Sequence, residues 1–241
     1  MLVHGGGHGG WCYRYLSPLL REAGHEVYAP TLTGLGERVH LVSPEVDLDL
    51  HIEDVVKVLE YENLHDVILV GHSYGGMVIT GVADRQAERV GRLVYLDAAN
   101  PRNGQSLDDV TGGLISALRN QAKSVDGVEL VLWPETTPPS FFGVTDPDVS
   151  SWMAGRLTPH PWRCFEQPLR LANEAVLWAI PQYHIVCTST LASRDRKLMD
   201  DARSEGRLWA IDTGHDLMIT EPEAVAAALL EVASHSGHKE R

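Results

Sequence analysis

Residues 67–77 read Val-Ile-Leu-Val-Gly-His-Ser-Tyr-Gly-Gly-Met, and this stretch decides the fold. An apolar run stops at Gly71, Ser73 follows two residues later, and a helical pattern begins at Met77. The glycines permit a sharp turn between a buried strand and a helix, and such a turn lifts the serine hydroxyl above the edge of a sheet. The helix amino terminus favours negative charge developing there. The stretch therefore predicts a nucleophilic Ser73; the alternative is an ordinary strand-to-helix turn.

The composition is that of an acidic globular protein. A length of 241 residues suits one α/β domain, or a core with a modest insertion. Hydrophobic residues make up 44% of the chain, which is enough to bury a sizeable core. The formal net charge of -13 argues against nucleic acid or an anionic membrane surface as a partner, because both are negatively charged.

The cysteines indicate neither a disulfide framework nor a metal site. Cys12, Cys164 and Cys187 are odd in number and widely spaced, without metal-ligand spacing. The sequence shows no signal peptide and no apolar run long enough to span a bilayer. We expect a soluble, cytoplasmic protein that binds no metal.

Strand and helix patterns alternate towards both ends of the chain. Apolar runs predict strands at 1–4, 26–29, 67–70, 92–97, 183–188 and 207–212. Helical spacing predicts helices at 13–23, 54–59, 74–86, 195–204 and 221–233, with a frayed tail from residue 234. This alternation implies parallel strands with helices on both faces, and ligand sites at the carboxyl ends of the strands.

The alternation of strand and helix patterns is interrupted between residues 100 and 180. This segment holds much of the proline and several large aromatic side chains, with short helical patterns and no convincing central strand. So many large apolar side chains fit poorly with a disordered linker. We expect a helical lid at 100–180, inserted into a core formed by 1–99 and 181–241.

A nucleophilic serine needs a general base, and the base needs a carboxylate that orients it. Among twelve histidines, His215 has the most suitable place, just past the last predicted strand. That position is at the same edge of the sheet as Ser73, so His215 is the predicted base. Asp216, its neighbour in sequence, is expected to meet solvent or a lid residue.

Two aspartates are candidates for the carboxylate that orients His215. The acid most often follows the strand that here ends at Thr188, but the next residues hold no carboxylate. Asp97 closes an otherwise apolar strand, where a charge costs free energy unless it is paired, and His215 would be a suitable partner. Asp195 lies near a helix start, where aspartate is ordinary capping chemistry. Asp97 is the favoured acid and Asp195 the alternative.

A glycine-rich loop follows the first strand, where residues 4–11 read His-Gly-Gly-Gly-His-Gly-Gly-Trp. Attack of a serine on a carbonyl creates an oxyanion, which needs two N–H donors already in place. The residue after the nucleophile, Tyr74, supplies one predicted donor. Gly6 supplies the other, because its glycine neighbours let the loop turn tightly beside a substrate.

Three segments together resemble the α/β-hydrolase superfamily, and within it the small esterases similar to plant methylesterases and hydroxynitrile lyases. They are residues 4–11 as the oxyanion loop, 71–76 as the nucleophile turn and 214–216 as the histidine loop. The resemblance implies an α/β-hydrolase fold with a mostly parallel sheet of about six strands flanked by helices. It also implies no cofactor and hydrolysis through an acyl-enzyme.

The chain departs from these relatives at two places. Hydroxynitrile lyases of this group carry threonine where this chain has Gly5 and lysine where it has Asp216, so the resemblance favours an esterase over a lyase. The second departure is the missing carboxylate near Thr190. Some lipases of the superfamily place the acid after the strand that follows the nucleophile, and Asp97 resembles that arrangement.

The leading interpretation is a serine carboxylesterase or lactonase acting on small to medium, partly apolar esters. The alternatives are a hydroxynitrile lyase and a ligand-binding relative without turnover. A small-molecule ester or lactone is the expected partner, and a homodimer is left open. The predicted substrate pocket comprises Gly5, His8, Trp11, His72, Phe141, Phe142, Trp152 and Trp162.

Overall fold

The computed structural model describes residues 1–113 and 115–235. Its strands are β1 Leu2–Val3, β2 Val67–His72, β3 Val90–Leu96, β4 Lys123–Val125, β5 Val128–Val131, β6 His160–Pro161, β7 Gln182–Cys187 and β8 Leu208–Ile211. Its helices are α1 Leu16–Glu22, α2 Leu48–Tyr61, α3 Gly75–Arg85, α4 Leu107–Val110, α5 Ser116–Arg119, α6 Pro147–Ala154, α7 Arg163–Glu166, α8 Glu174–Leu177, α9 Thr188–Leu191, α10 Arg196–Ser204, α11 Leu217–Thr220 and α12 Pro222–Ser234. Of the tail expected to fray, 236–241 lies outside the described residues. In the described ranges, no helix is both long and apolar enough to cross a bilayer.

The main sheet is parallel throughout, in the order β1-β2-β3-β7-β8. All five carboxyl ends therefore meet at one edge. Ser73 follows β2, Asp97 follows β3 and His215 lies beyond β8, so the topology brings all three to that edge. The prediction of a parallel sheet flanked by helices is confirmed.

The sheet has five strands rather than about six, because residues 26–29 do not form the predicted strand. This segment is irregular and meets the sheet through one hydrogen bond, from Leu2 N–H to Tyr28 O at 2.8 Å. β1 has only two residues, so it offers little backbone for a further strand. Pro30 ends the run, and proline cannot donate to a ladder.

The segment between β3 and β7 is not purely helical, contrary to the sequence-based expectation. Besides α4 to α8 it forms a second, antiparallel sheet of β4, β5 and β6. The turn between β4 and β5 consists of Asp126 at φ 50° and Gly127 at φ 81°. An Asp-Gly pair between short apolar runs is a strong hairpin signal, so the sequence held this information.

Two apolar clusters cover the two faces of the main sheet. Leu69 and Leu93 belong to one cluster with α2 and α3, whereas Val70 and Val94 belong to the other with α1 and α12. Successive strand side chains point to opposite faces, which explains this division. Every residue of α3 from 75 to 84 is buried, so the helix behind Ser73 is fixed in the core. Fully burying one large apolar side chain contributes about 1.5–3 kcal/mol.

Candidate active site

The turn at Ser73 is strained and tightly packed. Ser73 has a φ of 54°, which side chains other than glycine rarely adopt. Its carbonyl accepts hydrogen bonds from the N–H groups of Gly76 at 3.1 Å and Ala99 at 3.0 Å. A Cβ on Gly71 would lie 2.5 Å from Gly75 O, and a Cβ on Gly76 would lie 1.9 Å from Ala99 O. Only glycine fits at these two positions, and the packing holds the serine in its strained conformation.

Asp97 is a buried carboxylate at the end of β3. Its Oδ2 accepts from His215 Nδ1 at 2.5 Å, and its Oδ1 accepts from Thr190 Oγ1 and Arg194 Nη2, each at 2.6 Å. Burial alone would raise the pKa of Asp97. The His215 hydrogen bond and then the Arg194 charge outweigh burial and hold that pKa below its usual range. Asp97 is therefore an anion at neutral pH.

His215 lies beside the nucleophile turn with a side chain that is 27% exposed. His72 Nε2 donates to the His215 carbonyl at 3.0 Å, and the two rings are 4.7 Å apart. Because His72 directly precedes Ser73, this contact brings the histidine loop to the serine. The Ser73 and His215 side chains, both in the described part of the chain, share no hydrogen bond. In unliganded sites this bond is commonly long and tightens when substrate binds.

Asp195, the alternative acid, has a different partner. Its Oδ1 accepts from Leu198 N–H at 2.9 Å and so caps the amino terminus of α10. The ring of His215 is bonded to Asp97 instead. This geometry supports the preference for Asp97.

The two predicted oxyanion donors are available for a ligand. Among the described residues, neither the N–H of Gly6 nor that of Tyr74 donates to a protein acceptor. A Cβ on Gly6 would lie 2.9 Å from Leu132 Cδ1 and from Phe165 Cζ. The loop backbone thus runs close to two apolar side chains with no room for one of its own.

Gly5 lies directly against the nucleophile turn rather than in an open pocket. A Cβ there would be 2.8 Å from Ser73 Cβ and 2.9 Å from His72 Nδ1. We expect Gly5→Ala to lower kcat about a hundredfold, because a displacement of about 1 Å at the reacting groups costs that much. Steady-state kinetics would measure it. Gly155→Ala is the matched control, because nothing lies within 4 Å of the added Cβ, and equal kcat values for the two variants would contradict the prediction.

His8 and Asp216 form a buried ion pair that the sequence did not predict. His8 Nε2 lies 2.9 Å from Asp216 Oδ2, and His8 Nδ1 donates to Gly6 O at 2.7 Å. Burial alone would lower the pKa of His8, but the Asp216 charge outweighs it and raises that pKa. His8 was predicted as a pocket residue, yet its side chain is fully buried. Asp216 is equally buried instead of meeting solvent, although its N–H does bond Phe142 O at 2.9 Å.

Three of the predicted pocket aromatics form one cluster around this ion pair. Trp11 stacks on His8 at 5.3 Å between ring centroids, and Phe142 meets His8 edge-on at 4.9 Å. Trp152 meets the edge of Trp11 at 5.4 Å. Phe142 and Trp152 come from the 100–180 segment, so that segment packs directly on the glycine-rich loop.

The remaining predicted pocket residues lie in other environments. Phe141 is 56% exposed, whereas Trp162 is 3% exposed and donates its Nε1 proton to Glu166. Trp162 therefore packs the 100–180 segment rather than lining a cleft. His72 is fully buried and supports the His215 loop. A cavity of about 350 Å³ lies at the opposite end of the strands, beside Val67, and contains none of the predicted pocket residues.

A cluster of His51, His160 and Cys164 has the composition of a metal site. Its ligand atoms lie within 4.8 Å of one another. However, His51 Nε2 donates to a backbone carbonyl, so its Nδ1 accepts from Tyr74 Oη at 3.0 Å, and His160 Nδ1 accepts from Gly7 N–H at 3.2 Å. Burial also raises the pKa of the Cys164 thiol and so opposes thiolate formation. The cluster is explained by hydrogen bonds that support the two oxyanion segments.

Buried histidines are expected to make the stability of the fold depend on pH. Burial lowers the pKa of His4 and His72 to about 3 and that of His184 to about 4, because water no longer solvates the charged ring. Their unperturbed value is 6.5. These rings stay neutral in the folded chain at pH values where they would be protonated in the unfolded chain.

We expect acid to destabilise the fold below about pH 6.5. A histidine whose folded pKa is about 3 costs about 2 kcal/mol of unfolding free energy between pH 6.5 and pH 5. The contribution of His8 has the opposite sign: it is present at acid pH and is lost as pH rises through its raised pKa. Urea unfolding at pH 7 and pH 5 measures the difference, and equal midpoints would refute it. The exposed His40, changed to Gln, is the control that should keep the parent's pH dependence.

A family model and several known proteins match this chain. A family model described as the alpha/beta hydrolase family matches residues 1–228. The carbendazim hydrolyzing esterase of Nocardioides sp. (strain SG-4G) is 39% identical over 241 residues, covering 95% of this chain and 97% of the relative. Methylesterase 1 of Arabidopsis thaliana is 24% identical over 251 residues, covering 97% of this chain and 95% of the relative. The crystal structure of an Arabidopsis methylesterase matches with a TM-score of 0.72 at 24% identity, covering 97% of this chain and 98% of that one. The chain belongs to the alpha/beta hydrolase family.

Proposed function

We propose that this chain is a serine carboxylic-ester hydrolase that acts through an acyl-enzyme on small to medium, partly apolar esters. One observation carries the proposal: the His215 ring is bonded to the buried Asp97 carboxylate and lies beside the strained turn that presents Ser73. Two unpartnered N–H groups of described residues, from Gly6 and Tyr74, flank the same turn. Serine acyl transfer needs this set of groups.

The chemistry follows from the position of each group. Ser73 Oγ attacks the ester carbonyl carbon while His215 Nε2 takes its proton. Asp97 accepts the Nδ1 proton of His215, which fixes the ring tautomer and stabilises the imidazolium. The N–H groups of Gly6 and Tyr74 receive the oxyanion, and losing one such donor typically costs about 3–4 kcal/mol.

The imidazolium of His215 then protonates the departing alcohol, leaving an ester bond between the acyl group and Ser73. His215 next removes a proton from water, whose oxygen attacks the carbonyl carbon of that ester. The imidazolium then gives this proton to Ser73 Oγ as the bond between Ser73 and the acyl group breaks, and the acid is released. A lactone undergoes the same steps, except that its alcohol stays attached to the acyl group. Both substrate types belong to the proposal.

The substrate range is proposed from the relatives and the aromatic cluster. One relative hydrolyses carbendazim by its name and others are called methylesterases, which supports esters that combine a small alcohol with an apolar acyl part. Trp11, Phe142 and Trp152 would supply apolar surface near the glycine-rich loop. A hydroxynitrile lyase is not favoured, since a Cβ at Gly5 has no room and Asp216 is committed to His8.

The domain organisation belongs to the same proposal. Residues 100–180 would act as a lid on a core formed by 1–99 and 181–241. Phe142 and Trp152 support this role, because they reach from the segment onto His8 and Trp11 of the core. The net charge of -13 supports a small-molecule partner rather than nucleic acid or an anionic membrane. A cytoplasmic location and a homodimer are further parts to test, the latter by light scattering.

Release of p-nitrophenol from p-nitrophenyl acetate tests the proposed reaction. We expect a burst of about one equivalent per chain, followed by slower turnover as the acyl-enzyme hydrolyses. Esters and lactones of graded size then define the preferred substrate. Absence of both burst and turnover, with tight binding of an apolar ester retained, would instead support a binding protein without catalysis.

A further inference from the structure

Residues 187–194, from the end of β7 to just beyond α9, carry donors at the place where the sequence led us to look for an acid. Thr190 Oγ1 and Arg194 Nη2 both reach Asp97 Oδ1 at 2.6 Å. The N–H of Cys187 donates to the same oxygen at 3.1 Å, and Cys187 Sγ lies 3.3 Å from Oδ2. The carboxylate thus comes from the end of β3, and residues 187–194 supply the donors that bind it.

Arg194 is the charged donor among these groups. Its side chain is 18% exposed, and its Nη1 donates to Ala98 O at 2.7 Å while its Nη2 bonds Asp97. The guanidinium therefore bridges a carboxylate and the next residue's backbone carbonyl. The guanidinium is a planar fork of N–H donors that can make both contacts at once. A lysine ammonium is a point charge and does not reproduce this geometry.

The two oxygens of the Asp97 carboxylate bind different partners. Oδ1 is held by the guanidinium, so rotation of the carboxylate is restrained and Oδ2 stays directed at His215. The positive charge also acts on the pair formed by Asp97 and His215. Adding a further proton to that pair is harder next to a cation, and burial makes the interaction stronger than it would be in water.

The other charged or titratable side chains that contact His215 or its neighbour, among the residues that the structure describes, do not duplicate this effect. Asp216 is compensated by its ion pair with His8. His72 is neutral at working pH, because burial lowers its pKa to about 3. Arg194 is thus the cation that acts on the Asp97–His215 pair from the β7 side.

We propose that Arg194 is a positioning residue of this active site, which aims Asp97 at His215 and by its charge extends activity to lower pH. The inference rests on the proposed ester hydrolysis. Arg194 makes no contact with Ser73 or with the two oxyanion donors among its described hydrogen bonds, so it acts through Asp97.

The test compares Arg194→Met with Arg194→Lys, using p-nitrophenyl acetate and the pH dependence of kcat/KM. We expect Arg194→Met to lower kcat about ten- to a hundredfold, the size of a lost charge-assisted hydrogen bond, with KM nearly unchanged. The acid limb of its pH profile, where kcat/KM falls as the pH decreases, should move to higher pH by about half a pH unit or more. Arg194→Lys should keep the limb near the parent's position and restore only part of kcat, because it keeps the charge but not the fork.

The control is Arg196→Met, since the Arg196 side chain is 94% exposed and its ion pair is with Asp200. Circular dichroism would show that each variant is folded; if Arg194→Met is not, Thr190→Val and Arg194→Lys carry the test through kcat. A parent-like kcat and acid limb in Arg194→Met would overturn the inference. The inference would also be overturned if Arg194→Met lowered kcat without moving the acid limb and Arg194→Lys restored none of the lost kcat. That result would mean that Arg194 has a merely structural role. Lack of Ser73-dependent turnover in the parent would overturn the proposed function as well, which separates the two failures.

Discussion

Replacing Ser73 by alanine is expected to lower kcat for p-nitrophenyl acetate by about 10⁴- to 10⁶-fold. Without the hydroxyl no acyl-enzyme forms, and His215 has no nucleophile to activate. Alanine keeps the Cβ and removes only an oxygen, so the tight contacts of the turn at φ 54° are retained. The unfolding free energy should therefore change by less than about 1 kcal/mol. Stopped-flow kinetics and thermal melting measure the two quantities.

The matched control for this substitution is Ser204→Ala. Ser204 is an exposed serine at the end of α10, and its hydroxyl bonds a backbone carbonyl within the same helix. It should keep full activity. Turnover by Ser73→Ala within tenfold of the parent would refute serine catalysis, because a residual rate from the oxyanion donors alone is far smaller.

Changing Asp97 to asparagine is the second large effect, with an expected loss of about 10⁴-fold in kcat. The amide keeps the size of the side chain but not its charge, so the His215 tautomer is no longer fixed. The substitution also leaves the Arg194 guanidinium without its carboxylate. Removing one partner of a buried pair typically costs about 3–5 kcal/mol, so a lower melting temperature should accompany the kinetic loss.

Asp195→Asn is the built-in comparison, and it should retain activity within about threefold. Asparagine caps a helix nearly as well as aspartate, so the bond to Leu198 N–H can persist. Both variants are compared with the parent at a temperature where circular dichroism shows them folded. A larger loss in Asp195→Asn than in Asp97→Asn would reverse the assignment of the acid.

The parts of the fold that were predictable depend on local pattern. The apolar run before Gly71, the glycines after Ser73 and the strand ending at Asp97 each specify their own conformation, and parallel strands necessarily bring their carboxyl ends together. Local pattern also explains an error. The run at 26–29 looks like a strand, but pairing requires a neighbour of sufficient length, and β1 has only two residues.

What escaped prediction depends on contacts between distant residues. Nothing near His8 in sequence indicates that Asp216 will supply its counter-charge, 208 residues away. The contact of Arg194 with Asp97 is equally hidden in the sequence, since it follows from the packing of β3 beside β7. The hairpin at Asp126 and Gly127 is a different case, because its turn signal was present in the sequence.

The ion pair between His8 and Asp216 joins three segments that are distant in sequence. Asp216 is covalently joined to His215, its carboxylate holds His8, and His8 holds the carbonyl of Gly6. The backbone N–H of Asp216 is in turn bonded to Phe142 in the 100–180 segment. A displacement of residue 142 would therefore act on the histidine loop and on the glycine-rich loop through the same chain of hydrogen bonds.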